Sequence, residues 1–239
     1  MIPRFPSPTA WVLGLLVLAC LPACRQEGPS RAARPEAGSE ASAASGPNRG
    51  AEPGRPRIVA LGDSLTAGLG LPKTEAYPAV LQQRLDDAGS RFEVVNAGVS
   101  GDTSAGGLSR LDWSLDGDVR ILIVALGGND GLRGLPPDEM KRNLAGIIRR
   151  ARERQVAVLL AGMETPTNMG PEYQRRFHDV FPALARDHKV VFLPFLLEGV
   201  AGRPDLNQSD GIHPTAEGAR LVADHVWRVL EPMLTAASR

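Results

Sequence analysis

The sequence predicts an α/β domain built as three layers, α/β/α, around a mostly parallel sheet of about five strands. Short, continuous apolar segments alternate with longer amphipathic segments from residue 57 onward. A strand that is apolar on both sides is typical of a parallel sheet covered by helices on both faces. The alternation itself predicts that each helix crosses from one strand to the next.

The apolar segments expected to form strands are residues 58–61, 92–96, 119–126, 156–161 and 190–194. The helices expected between and after them are residues 76–88, 104–113, 137–154, 173–188 and 214–234. Ligands of such folds bind beyond the carboxyl ends of the strands. The residues that follow each strand are therefore the candidates for a functional site.

Length and charge fit one folded domain, expected over residues 57–239. The chain has 239 residues, of which 43% are hydrophobic, enough for a single sizeable core. Its 27 basic and 27 acidic residues cancel, and no basic cluster of the kind that binds nucleic acid is present. We expect a monomer with no nucleic-acid partner.

Residues 1–24 are expected to be a lipoprotein signal peptide. The apolar run at residues 10–19 suits the core of a secretory signal but is short of the about 20 residues that span a bilayer. The sequence LPAC, which ends at Cys24, resembles a bacterial lipobox, so Cys24 is the expected lipidation site. Cleavage without lipidation, or lipidation at Cys20, are the alternatives.

Residues 25–56 are expected to be a flexible linker. They are rich in Ala, Gly, Pro, Ser and charged residues, with almost no large apolar side chain to bury. Arg25, rather than aspartate, follows Cys24, which resembles outer-membrane sorting in Gram-negative bacteria. The expected location is the cell envelope, lipid-anchored at the outer membrane and facing the periplasm. Both cysteines lie in the signal segment, so the domain has no disulfide.

Residues with chemical functions follow the first three expected strands and precede the last helix. Ser64 follows the first strand, Gly101 the second and Asn129 the third, while Asp210 and His213 stand before the last helix. Taken singly, each residue also has a structural interpretation, as a helix cap or a turn residue. The G-x-S-x-G pentapeptide of α/β-hydrolases is absent, so that fold is disfavoured.

Together these types suit nucleophilic catalysis. A serine hydroxyl such as that of Ser64 is a weak nucleophile until an adjacent base takes its proton. His213 titrates near neutral pH and can serve as that base. Asp210 stands three residues earlier and can accept from the other ring nitrogen, which completes a Ser-His-Asp triad.

Four segments, GDSLTAG, SGDTS, GGNDGLRG and DGIHP, resemble in this order the sequence blocks of the GDSL/SGNH hydrolase family. They are similar to its bacterial thioesterase I/lysophospholipase L1 and arylesterase branch, over residues 57–234. The resemblance implies a flavodoxin-like fold and a serine esterase or thioesterase without a cofactor. It implies cleavage of acyl esters, acyl-CoA or lysophospholipids through an acyl-enzyme. It also implies an oxyanion hole made by the backbone N–H groups of Ser64 and Gly101 and the side-chain amide of Asn129.

The substrate groove is expected to include the segment at residues 165–177, with Met163, Pro166, Met169 and Tyr173 as its apolar lining. Two other functions stay open. One is a carbohydrate O-deacetylase on the same fold, and the other is a catalytically silent lipoprotein that binds acyl chains.

No metal site is expected, since no His/Asp cluster has ligand spacing. We expect the histidines of the amphipathic helices to be surface or packing residues; these are His178, His188 and His225. The aspartates beside the motif residues are expected to stabilise their loops by hydrogen bonds; these are Asp63, Asp102 and Asp130.

Overall fold

The computed structural model describes residues 54–237, so the expected signal peptide and nearly all of the expected linker lie outside the described residues. The described part contains a five-stranded sheet in which every neighbouring pair is parallel, as the sequence predicts. The strands are β1 (Arg57–Gly62), β2 (Glu93–Gly98), β3 (Val119–Ala125), β4 (Ala157–Ala161) and β5 (Val191–Leu193).

The helices are α1 (Ser64–Ala67), α2 (Tyr77–Asp87), α3 (Ser104–Ser109), α4 (Leu111–Ser114), α5 (Gly128–Leu132), α6 (Pro137–Glu153), α7 (Pro171–His178), α8 (Val180–His188) and α9 (Ala216–Ala237). A 3-10 turn, Thr167–Met169, precedes α7. α2 and α9 pack on each other, while α6 packs on both α3 and α8. No helix in the described range is long and apolar enough to cross a bilayer.

The strand order β2-β1-β3-β4-β5 places the first strand between the second and the third. The order of the strands therefore changes direction between β1 and β3, and such a switch point is where open α/β sheets bind their ligands. The register aligns Gly62 with both Gly98 and Ala125. The loops that follow β1, β2 and β3 consequently leave the sheet at one edge.

The core is centred on β1 and β3. Ile58, Leu61, Ile121, Leu122 and Ile123 are fully buried although adjacent strand residues point to opposite faces. Burial on both faces explains why these strands have continuous apolar sequences rather than alternating ones. Three-layer packing, predicted from that pattern, is confirmed.

Two predicted helices are each divided in two. The helix predicted over 173–188 breaks at Asp179, because Pro182 has no N–H with which to bond the carbonyl of His178. The helix predicted over 104–113 breaks at Arg110, whose backbone is not helical. Glycines at 106 and 107 weaken that helix, and the Arg110 side chain is held by other groups.

Candidate active site

Ser64 is the first residue of the short helix α1, directly beyond β1. The N-cap is Asp63, whose Oδ1 accepts a hydrogen bond from the Leu65 N–H at 3.0 Å. Interpretation of Ser64 as a mere helix cap is therefore wrong. α1 lies closely against β2 because residue 98 is glycine: a Cβ there would stand 2.2 Å from the backbone nitrogen of Ala67. This contact fixes Ser64 at the carboxyl edge of the sheet.

His213 and Asp210 meet Ser64 at that edge. The Nε2 atom of His213 lies 2.9 Å from Oγ of Ser64, and its Nδ1 atom lies 2.6 Å from Oδ2 of Asp210. The other carboxylate oxygen of Asp210 accepts from the backbone N–H groups of Ile212, at 2.9 Å, and of His213, at 3.0 Å.

The hydrogen bonds to Asp210 determine the tautomer of His213. Hydrogen bonds hold the pKa of the Asp210 carboxyl far below its usual range. The strongest contribution comes from the backbone N–H of His213, the next from the His213 ring, and the third from the backbone N–H of Ile212. An ionised carboxylate only accepts, so Nδ1 of a neutral His213 ring carries the proton. Nε2 is then free to accept the hydrogen bond of the Ser64 hydroxyl, the geometry of an activated nucleophile.

Gln208 holds the His213 loop in place and was not predicted as a site residue. Its backbone N–H donates to the carbonyl of His213 at 2.7 Å. Its side-chain amide donates to the carbonyl of Pro214 at 2.9 Å and to that of Leu69, just beyond α1, at 2.7 Å. Gln208 thereby joins the loop of the histidine to the loop of the serine. A single glutamine outside the motifs gives no signal of this role in the sequence.

Asn129 lies in α5, directly beyond β3, and its side chain bonds Asp63. Its Nδ2 donates to Oδ2 of Asp63 at 3.1 Å. The Asp63 side chain is buried, with the residue 2% exposed, and no Lys or Arg among residues 54–237 forms an ion pair with it. Burial raises the pKa of Asp63 to about 6, although hydrogen bonds from Leu65 and Asn129 and the nearby His213 oppose the rise.

Gly101 lies in the loop after β2 with φ of +84°, a conformation that favours glycine. The Val99 N–H donates to the carbonyl of Gly62 at 3.0 Å, which ties this loop to the end of β1. Arg133 donates to the carbonyl of Gly101 at 2.7 Å. The Gly101 N–H meets no acceptor in the described part of the chain, so it is available to a ligand.

The two other aspartates beside the motif residues fasten these loops to one another. Asp130 accepts from the backbone N–H of Ser104 at 2.7 Å and from its hydroxyl at 2.6 Å, which joins α5 to α3. Asp102 pairs with Arg110 at 2.6 Å, and Arg110 also donates to the carbonyl of Gly62 at 2.9 Å. The prediction that Asp63, Asp102 and Asp130 stabilise loops is confirmed.

A groove of about 530 Å³ opens beside Ser64, Asn129 and His213. Its volume is in the usual range for a small-molecule site. Most of its lining is apolar; this part comprises Leu65, Leu132, Met163, Pro166, Phe195, Leu197, Ala201 and Ile212. Leu132 and Ile212 are large hydrophobic residues exposed to solvent, and each stands within three residues of Asn129 or His213.

Only two of the four residues expected to line the groove do so. Met163 and Pro166 belong to the lining, and Met169 and Tyr173 do not. The hydroxyl of Tyr173 donates to the carbonyl of Leu135 at 2.8 Å, and its ring stacks on that of Phe177 with 6.2 Å between centroids. α7 turns Tyr173 toward these packing partners, while Met169 ends the 3-10 turn before α7.

His178, His188 and His225 are not among the residues that line the groove beside Ser64. Nδ1 of His178 is 2.6 Å from a carboxylate oxygen of Glu164, and both side chains are largely exposed. Within residues 54–237, no group of three or more His, Cys, Asp or Glu side chains is arranged to hold a metal ion.

Comparison with protein families gives a match to the GDSL-like Lipase/Acylhydrolase family over residues 60–221. The chain is 43% identical over 178 residues to the esterase TesA of Pseudomonas aeruginosa, covering 74% of this chain and 89% of the relative. It is 38% identical over 178 residues to the thioesterase 1/protease 1/lysophospholipase L1 of Escherichia coli (74% and 84%). It is 35% identical over 175 residues to an arylesterase of Vibrio mimicus (73% and 88%).

Solved structures agree with this match. The crystal structure of TesA superposes with a TM-score of 0.71 at 43% identity, covering 74% of this chain and 98% of that one. AlinE4, an SGNH-hydrolase family esterase, superposes with a TM-score of 0.63 at 45% identity, covering 75% and 96%.

Proposed function

Because the chain belongs to the GDSL-like lipase/acylhydrolase family and is an ester-cleaving serine hydrolase, we propose that Ser64 is its nucleophile, His213 its general base and Asp210 the residue that orients His213. The observation that carries this proposal is the continuous chain of hydrogen bonds from the Ser64 hydroxyl through the imidazole to the Asp210 carboxylate.

In the first step, Oγ of Ser64 attacks the ester carbonyl carbon while Nε2 of His213 takes the hydroxyl proton. The imidazolium that forms is stabilised by the ionised Asp210 at Nδ1. His213 then protonates the leaving alcohol or thiol, and an acyl-enzyme on Ser64 remains. Water, activated by the same histidine, hydrolyses that intermediate and restores the serine.

The oxyanion that develops in both steps requires hydrogen-bond donors. The proposed donors are the backbone N–H groups of Ser64 and Gly101 and the side-chain amide of Asn129. In support, neither backbone N–H group has an acceptor among the described residues, and Ser64 and Asn129 both line the groove. Loss of one such donor typically lowers the rate by roughly 100- to 1000-fold.

The proposed substrates are esters and thioesters of apolar acyl groups, including acyl-CoA and lysophospholipids. The apolar lining of the groove supports an apolar acyl group. Three relatives carry the names esterase, arylesterase and thioesterase 1/lysophospholipase L1, which together span these leaving groups.

A fluorophosphonate probe tests the nucleophile. We expect the wild-type protein to be labelled stoichiometrically and Ser64→Ala to be neither labelled nor active toward p-nitrophenyl acetate, with an unchanged Tm. Ser109→Ala, at an exposed serine of α3, is the matched control and should behave as wild type. Activity of Ser64→Ala within about tenfold of wild type would contradict the proposal.

A panel of p-nitrophenyl esters and acyl-CoA thioesters of graded chain length, with lysophosphatidylcholine and an acetylated sugar, tests the substrate class. We expect medium acyl chains to have higher kcat/KM values than acetate does. A clear preference for the acetylated sugar would instead indicate the carbohydrate O-deacetylase function.

We also propose that the chain is exported and anchored by a lipid on Cys24, at the outer membrane and facing the periplasm. The support is the apolar run at 10–19, the LPAC sequence and Arg25 after it. Cys24→Ser should release the protein from washed membranes, and Cys20→Ser should not. Retention of Cys24→Ser in the membrane fraction would overturn this assignment.

We further propose that the protein is a monomer, because all proposed catalytic groups belong to one chain. Sedimentation velocity of the protein released from the membrane would test this.

A further inference from the structure

Asp63 is a buried acid whose contacts exceed those of a helix cap. A cap needs one acceptor oxygen, and Oδ1 of Asp63 fills that role toward the Leu65 N–H. The second oxygen, Oδ2, accepts from the side-chain amide of Asn129 at 3.1 Å. A carboxylate that is 2% exposed and lacks a cationic partner is costly to bury. A serine or asparagine would cap α1 without that cost.

The contact between Asp63 and Asn129 determines which way the amide of Asn129 faces. An amide can turn its oxygen or its nitrogen toward a neighbour, and the choice depends on the partner. A carboxylate accepts only, so Asp63 selects the orientation in which Nδ2 faces it. The second N–H of Nδ2 has no acceptor among the described residues, and Asn129 lines the groove beside Ser64.

We propose that Asp63 is a positioning residue for catalysis: it holds the side-chain amide of Asn129 with one N–H free toward the reacting carbonyl oxygen. This inference rests on the proposed function, in which Asn129 donates to the oxyanion. Asp63 does not touch the substrate's reacting atoms in this scheme. It acts through Asn129, and it removes the orientation of the amide that would aim an oxygen at a developing negative charge.

The other groups around Asp63 are consistent with this role. Asp63 and His213 both line the groove, and His213 acts on the pKa of Asp63 through its charge. The pKa of Tyr77, in α2, is raised by burial and, less strongly, by the Asp63 charge. The hydroxyl of Tyr77 bonds Thr66 rather than Asp63. Asn129 is therefore the one side chain in the described part of the chain that donates to the Asp63 carboxylate.

A double-mutant cycle tests the inference. Asp63→Asn is isosteric and retains a capping oxygen, but its own amide N–H₂ meets the N–H₂ of Asn129 and favours the turned amide. We expect kcat for p-nitrophenyl butyrate to fall about 10- to 100-fold with KM within about twofold. In the Asn129→Ala background, the same change should alter kcat by less than about threefold, because the group that Asp63 positions is gone.

Asp63→Ser is the second variant, since serine caps a helix well and is too short to reach Asn129. It should lower kcat like Asp63→Asn without lowering the Tm below that of wild type, because the cap is kept and the buried carboxylate is gone. Near-normal kcat in both Asp63→Asn and Asp63→Ser would mean that Asp63 is only a cap, and would overturn the inference. An equal loss of kcat in the wild-type and Asn129→Ala backgrounds would also overturn it, because Asp63 would then act on His213 or on the fold. If Ser64→Ala keeps its activity, the proposed function itself fails.

Discussion

Nε2 of His213 lies 2.9 Å from Oγ of Ser64, although the two residues are 149 positions apart in the sequence. Each is held at this distance by its own loop. Ser64 stands on α1, which the cap at Asp63 and the close contact at Gly98 fix against the sheet. His213 is held by Asp210 and Gln208 before α9 begins. The rest of the mechanism depends on this contact.

Asp210→Asn should lower kcat about 10³- to 10⁴-fold. The remaining oxygen of asparagine can still accept from the N–H groups of Ile212 and His213, so the loop is kept. Its N–H₂ group, however, faces Nδ1 and favours the tautomer with the proton on Nε2, which cannot take a proton from Ser64. Steady-state kinetics and the Tm measure the two effects separately. The control is Asp205→Asn, at an exposed ion pair with Arg203, and activity of Asp210→Asn within tenfold of that control contradicts the assigned role.

Asn129→Ala should lower kcat roughly 100- to 1000-fold with KM nearly unchanged, since the lost hydrogen bond is strongest in the transition state. Asn129→Asp should be at least as harmful. Its carboxylate supplies no donor, repels the forming oxyanion, and lies against the acceptor oxygen of Asp63, now 3.1 Å from the amide. If Asn129 served only the structure of α5, the aspartate variant would turn over esters normally. Parallel measurement of both variants decides between these outcomes.

The sheet, its parallel order and the placement of Ser64, Asn129 and His213 at one edge followed from local sequence. Continuous apolar strands and the residues just after them carry that information. The division of the 173–188 helix was missed although Pro182 signals it. Met169 and Tyr173 are not among the residues that line the groove. For Tyr173, the direction of the side chain on α7 depends on packing with Phe177, which sequence spacing does not give.

The partners that residues contact across long distances in the sequence could not be predicted. Gln208 bonds Leu69 across 139 positions, and Asp63 bonds Asn129 across 66. Glutamine and aspartate occur in many surface loops, so neither residue type nor local spacing distinguishes these two from solvent-exposed ones.

Gln208→Glu should loosen the His213 loop. The carboxylate cannot donate, so the bonds to the carbonyls of Leu69 and Pro214 are lost, and the like partial charges repel. We expect a loss in the free energy of unfolding of about 1–3 kcal/mol and a lower kcat. Urea unfolding and ester hydrolysis measure these. Gln83→Glu, at an exposed residue of α2, is the matched control. Equal behaviour of the two variants would show that Gln208 does not hold the loop.

The last prediction concerns the pH dependence of stability that Asp63 confers. Burial raises its pKa from the ordinary value of 3.8 to about 6 in the folded protein. Between these values the folded state binds more protons at this site than the unfolded state, so the contribution of Asp63 to stability falls as the pH rises. The ionised, buried carboxylate of Asp63 lowers the free energy of unfolding. This loss is absent below about pH 4, where the carboxyl is protonated, and above about pH 6 it reaches on the order of 3 kcal/mol.

Asp63→Asn removes this titration while keeping a capping oxygen. The difference in the free energy of unfolding between wild type and variant should therefore shift in favour of the variant, by on the order of 3 kcal/mol, from pH 4 to pH 7. Urea unfolding of both proteins at several pH values in this range measures the shift. The other groups that titrate there are common to both proteins, so they cancel in the difference apart from the coupling of His213 to Asp63. A constant difference across the range would mean that the carboxyl of Asp63 has an ordinary pKa, and that its burial is relieved by water or by movement of α1.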